Sequence, residues 1–199
     1  MKYNFLKLGQ QILWGLLILV GLFVVINWQF FVKQIDFWWQ RDILRQEITQ
    51  VPIATGTPNV VQIAGLGINA PLVYVEDTDV RTFQDGLASG VVHYPGTAEP
   101  GEFGNAFYFG HSSDYISKPG QYKTVLALLP QINLNDEILI TDQQGRLFTY
   151  RVISKQVAPA TAVEWLDQGD KKKKLLTLQT SYPIGTALAR YIVQAELKS

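Results

Sequence analysis

The 199-residue chain contains no cysteine. That absence excludes a disulfide framework, a thiol nucleophile and any cysteine-ligated metal centre, while leaving the compartment open. Histidine is nearly as scarce, and with only His93 and His111 present, imidazole chemistry has two possible addresses. Lys plus Arg and Asp plus Glu both number 17, so the chain is formally neutral and lacks the basic excess that a nucleic-acid partner requires. A third scarcity is local. Residues 8–32 carry no charge at all, and 12–26 are almost wholly aliphatic, with Trp14 and Trp28 near either end. About 20 apolar residues suffice to cross the hydrocarbon core as a helix, and tryptophan favours its borders.

These features divide the chain into an N-terminal transmembrane anchor (1–33), a juxtamembrane helix and linker (34–57) and a folded domain (58–199). A cleaved signal peptide would have a shorter apolar run followed by a small-residue cleavage site, which INWQFFVKQ is not. The segment 33–50 predicts a continuing helix with Ile35, Trp38, Trp39, Leu44 and Ile48 at its apolar positions. Such a helix serves either as an interfacial collar or as an element packed on the domain. VPIATGTPN then ends it. Charges flank the span on both sides and do not fix its orientation.

From Val60 onward the chain reads as short strands set off by turns: VVQIAG, APLVYVE, AFYFG, EILITD, LFTYRVIS, LLTLQTS and RYIVQAEL. Seven such segments argue for a closed or sandwiched all-β domain. Asp142-Gln-Gln-Gly145 is a hairpin turn signal, and residues 80–87 and 122–129 have the apolar spacing of short helices.

The chemistry concentrates in TLQTSYPIGTALAR. Alternation over 175–180 predicts a half-buried strand that breaks at Tyr182-Pro183, which leaves Ser181 where a side chain departs from the sheet. Arg190 opens the next strand, and a hairpin through Pro183 and Gly185 brings its fixed cationic fork toward Ser181. Gly110-His111 follows the strand AFYFG. A serine nucleophile needs a true general base, usually with a carboxylate orienting the imidazole. Asp114 and Glu102 are both near His111 in sequence, and spacing selects neither. His93 sits among Pro and Gly residues and reads as a turn-packing histidine. Glu76, Asp77 and Asp79 read as a solvated turn, since a calcium site needs six or more oxygens. Lys171, Lys172, Lys173 and Lys174 read as a solvated loop.

TLQTS followed by Arg190, together with HYPGT, PGE, GN and Gly110-His111 in that order, resembles the sortases. Their strand ends in TLxTC followed by an arginine, and Ser181 stands where they carry cysteine. The resemblance covers about residues 58–197 and implies an all-β fold, an eight-stranded β-barrel with short helices, preceded here by one transmembrane helix. It implies His111, Ser181 and Arg190 as catalytic residues and Thr180 and Tyr182 as substrate-binding ones; no cofactor is expected, and, although some sortases bind calcium through loop carboxylates, no metal is expected from the residues here. It further implies transpeptidase or peptidase action on LPxTG-like sorting signals of exported proteins. The acceptor would be an amine, from a cell-wall precursor or a pilin-like lysine. The location implied is the cell membrane, single-pass, with the domain outside. With serine as nucleophile the chemistry is expected to be slow or shifted toward hydrolysis. The alternative is a catalytically inactive pseudo-sortase binding peptides or partner proteins at the membrane.

Overall fold

The computed structural model describes residues 2–40, 56–114, 120–169 and 172–198. Most of the charge-free stretch lies in helix α1 (Lys2–Ile26), whose apolar part, Lys7–Ile26, is 20 residues long and has no buried residue. That length and composition suit a membrane crossing. The helix does not run on unbroken. Asn27 interrupts it in a turn, its buried side-chain amide donating to the Phe23 carbonyl at 2.9 Å, and α2 (Trp28–Trp38) follows. On one side α2 packs on the domain: Phe37 joins the core, and Lys33 Nζ donates to the Thr124 carbonyl at 3.1 Å. The remainder of the expected juxtamembrane helix and most of the linker, residues 41–55, lie outside the described residues.

Eight strands then close a barrel. They are β1 (Val60–Ile63), β2 (Ile68–Tyr74), β3 (Val91–His93), β4 (Gly104–Phe109), β5 (Glu137–Thr141), β6 (Leu147–Pro159), β7 (Lys174–Tyr182) and β8 (Ala189–Leu197). Around the barrel the order is β1-β2-β3-β4-β7-β8-β6-β5. All neighbours are antiparallel except β2–β3 and β4–β7. A parallel pair needs a crossover, and α3 (Val80–Ser89) supplies it between β2 and β3, where the sequence places a helix. Period-two alternation then fixes which residues face inward: Ile138 and Ile140 on β5 and Leu176 and Leu178 on β7 are fully buried, alongside Tyr108 and Tyr150.

Three local expectations change. Val91-Val92-His93 is a strand that three residues were too few to announce, and His93 is its last residue rather than part of the turn. Its ring is 6% exposed, stacked 5.0 Å from Tyr74 and 4.9 Å from Tyr108. Nε2 lies 3.0 Å from both Thr97 Oγ1 and the Ala98 carbonyl. Residues 122–129 form i→i+3 turns, not an α-helix, ending in a 3-10 turn at Leu129–Gln131. The Leu126 N–H is spent on the His111 carbonyl at 2.9 Å, so it cannot join an α-helical ladder. The lysine run, finally, is partly structural. The Lys173 carbonyl accepts from Gly104, and Lys174 opens β7 with its ammonium 4.8 Å over the Phe103 ring.

Candidate active site

Parallel pairing of β4 with β7 places the two strand ends that matter side by side, Phe109 opposite Gln179. One step on, the Gly110 N–H donates to the Gln179 carbonyl at 3.0 Å and the Gly110 carbonyl accepts from Thr180 Oγ1 at 2.8 Å. Those two bonds fix where the chain leaves the barrel at His111. Thr180 is thereby buried, with its hydroxyl committed to the backbone. A Cβ at 110 would come to 3.0 Å from the end of the Leu126 side chain, which would have to give way to admit it.

On the other side of β7 the antiparallel register sets Ser181 directly opposite Arg190. Directly opposed residues project to the same face of a sheet, so hydroxyl and guanidinium share one side. Arg190 Nη1 donates to the carbonyls of Ala187 (3.2 Å) and Ala189 (3.1 Å), anchoring the cation to its own loop. His111, Thr180, Ser181 and Arg190 all line a single cleft of about 530 Å³. Tyr182 does not line it. Its ring packs against Tyr191, 5.7 Å between centroids.

The cleft has two walls. One is α3, through Val80, Phe83 and Leu87, and the other is the β6–β7 connection, through Ala162, Val163 and Leu166. That second wall is tied to the barrel by polar bonds that the sequence did not reveal. Asn105 Nδ2 donates to the Trp165 carbonyl at 2.7 Å while its Oδ1 accepts from Thr177 at 2.8 Å. Gln168 Oε1 accepts from the Ala98 and Asn105 N–H groups at 3.0 and 3.2 Å. The result is a cleft with apolar side chains on both walls and His111, Ser181 and Arg190 in its lining.

The structure distinguishes between the two carboxylates. Asp114 Oδ2 lies 3.5 Å from His111 Nε2, whereas Glu102 turns away to accept from the Glu99 N–H at 3.0 Å. An imidazole with a carboxylate on one nitrogen can be held in orientation and tautomer while the other nitrogen works as a base. The segment that carries this pair is itself braced: Ser113 Oγ accepts from the Gly185 N–H at 3.0 Å, linking the His111 loop to the β7–β8 loop. Gly185, at φ +74°, lies so close to Asn27 that an added Cβ would meet its Oδ1 at 2.7 Å. The joint between α1 and α2 thus abuts the loop that joins Ser181 to Arg190. Among the described residues no group of three or more His, Asp or Glu could hold a metal ion. Glu76, Asp77 and Asp79 are exposed, and Asp77 spends an oxygen on the Asp79 N–H at 3.0 Å.

Residues 61–198 match the family model described as the sortase domain. The chain is 27% identical over 147 residues to Sortase D of Bacillus subtilis (strain 168), covering 70% of this chain and 66% of that protein, just short of two thirds of its length. Among solved structures it is similar to a Sortase D5 transpeptidase of Clostridium perfringens, with 25% identity, a TM-score of 0.57 and coverage of 70% of this chain and 78% of that one. It shares its fold with a lid mutant of sortase A from Corynebacterium diphtheriae, at 23% identity, a TM-score of 0.58 and coverage of 83% and 78%.

Proposed function

The chain belongs to the sortase family, and on that premise we propose that it is a membrane-anchored acyl-transfer enzyme acting on LPxTG-like sorting-signal peptides of exported proteins, with Ser181 as its nucleophile. The observation that carries this reading is the pairing of His111 with Asp114 in the cleft shared by Ser181 and Arg190. A thiolate needs no base once it has formed, but a serine hydroxyl does, and an oriented imidazole provides one.

In this reading Ser181 Oγ attacks the scissile carbonyl as its proton passes to His111. Arg190 stabilises the oxyanion, and its charge is permanent at any working pH. Collapse of the tetrahedral adduct breaks the peptide C–N bond, and the imidazolium returns the proton to the departing amine. An ester on Ser181 remains. An incoming amine, from a cell-wall precursor or a pilin-like lysine, or else water, gives its proton to His111, attacks the ester and regenerates the hydroxyl. Because an oxygen ester is a weaker acyl donor to amines than a thioester, hydrolysis takes a larger share of turnover than it would with cysteine.

The test uses the full chain in detergent micelles, since α2 contributes Phe37 to the core. A fluorogenic sorting peptide is supplied with and without an amine acceptor, to the native protein, Ser181→Ala and Ser181→Cys. Turnover by the native chain, lost in Ser181→Ala, supports the serine enzyme. Turnover by Ser181→Cys alone, with peptide binding in the native form, gives the peptide-binding pseudo-sortase instead.

A further inference from the structure

Helix α2 divides into three sectors when its residues are set at 100° intervals. Asn27, Phe30, Phe31, Gln34 and Phe37 fall in one sector and are buried or half-buried, while Trp38, at the end of the same sector, is 49% exposed. Gln29, Lys33 and Asp36 fall in a second, which is polar and from which Lys33 reaches the Thr124 carbonyl. The third contains Trp28, Val32, Ile35 and Trp39, spaced four, three and four apart. Among the described residues nothing buries this last sector: Trp28 is 58% exposed, Val32 42%, Ile35 62% and Trp39 50%. Had α2 simply been a prop for the barrel, two sectors would have been enough, one inward and apolar, one outward and polar.

The geometry points to lipid as the occupant of the third sector: α2 is an interfacial helix, with its Trp28–Val32–Ile35–Trp39 face in the headgroup–acyl boundary of the bilayer and its Phe37 face on the barrel. Continuity with α1 is one argument, since only Asn27 separates this face from the apolar segment Lys7–Ile26, none of whose residues is buried in the protein. Composition is another, because tryptophan has an apolar body and an N–H donor that suit the boundary layer. The third is the polar sector beside it. Gln29, Lys33 and Asp36 give the helix a wet flank between membrane and barrel, as an interface-lying amphipathic helix requires. The consequence is a barrel held against the membrane, not swinging from it on a stalk. Through Asn27 and Gly185 the β7–β8 loop is then held near the bilayer surface.

The lack of native cysteine allows a direct test by site-directed spin labelling. Single cysteines at Leu17→Cys, Gln29→Cys, Val32→Cys, Ile35→Cys, Asp36→Cys and Leu188→Cys are nitroxide-labelled in the full chain, reconstituted in phosphatidylcholine–phosphatidylglycerol vesicles. Collision with oxygen, which partitions into lipid, is compared with collision with a water-soluble nickel chelate. Labels at 32 and 35 are expected to lose chelate access and gain oxygen access relative to those at 29 and 36, at a shallower depth than the label at 17. Equal chelate access at 32, 35 and 36, with 17 still shielded, overturns the proposal while leaving the span intact. Chelate access at 17 removes the span and the proposal together. Exclusion of both reagents at 32 and 35, with dipolar broadening between labels, assigns the face to a second copy of the chain and equally overturns it.

Discussion

The two histidines carry the same ring into opposite situations. His93 is enclosed between Tyr74 and Tyr108, with Nε2 engaged by Thr97 and Ala98, and burial pushes its pKa below the ordinary value, opposed by the Ala98 carbonyl and by Glu99 and Glu102. His111 is carried beyond the end of β4 by Gly110 and opens on the cleft, its side chain 17% exposed, with Asp114 at 3.5 Å. What separates the enclosed imidazole from the one presented to the cleft is therefore not chemistry but where the strand stops. One ring is consumed by local backbone partners, and the other is presented by a backbone whose own polar groups are satisfied elsewhere.

The comparison breaks most visibly in turnover. His111→Ala should reduce peptide cleavage by about 10²–10⁴-fold, the usual worth of a general base. His93→Gln should keep the native kcat in the fraction that folds, measured against active-site titre. In stability the order reverses. His93→Ala should cost about 2–4 kcal/mol in denaturant unfolding, through lost ring packing and unpaired polar groups, while His111→Ala should cost less than about 1 kcal/mol.

Asp114→Asn sharpens the reactive side. Loss of a charge-assisted contact worth about 1.5–3 kcal/mol predicts a kcat lower by about 10–100-fold with KM little changed, read from full peptide saturation curves. Gly185→Ala tests whether the Ser181–Arg190 loop is braced from outside the barrel. It forces a Cβ against the Asn27 amide at a positive φ, for an expected loss of about 1–3 kcal/mol. The double variant with Asn27→Ala should recover part of that loss by removing the collision, and the backbone strain should remain. The smallest effect is in pH. Because the folded-state pKa of His93 is depressed, the unfolded chain binds the extra proton first as pH falls below the ordinary 6.5. Stability should therefore decline from pH 6.5 toward the lowered folded value and level off below it. His93→Phe should flatten that slope, followed by thermal melts across the range.

The barrel was legible in the sequence because seven of its strands are long enough to show alternation or an apolar run, and the candidate site because TLQTS, Gly110-His111 and Arg190 are local words in a fixed order. What stayed hidden depends on through-space partners. The strand ending at His93 is three residues long. Residues 122–129 have helical spacing, but the Leu126 N–H goes to a carbonyl fifteen residues upstream. The preference for Asp114 over Glu102 follows from loop paths that no spacing encodes. Asn105 and Gln168, which fasten one wall of the cleft, look in sequence like any two amides.

The most direct measurement is the mass of the acid-quenched full chain, with its peptide products, after mixing with a sorting-signal peptide. The account expects cleaved peptide and a mass gain equal to its acyl portion, mapped to Ser181 and absent in both Ser181→Ala and His111→Ala. An intact peptide and an unmodified Ser181 in the native chain, under conditions where the peptide demonstrably occupies the cleft, would contradict it.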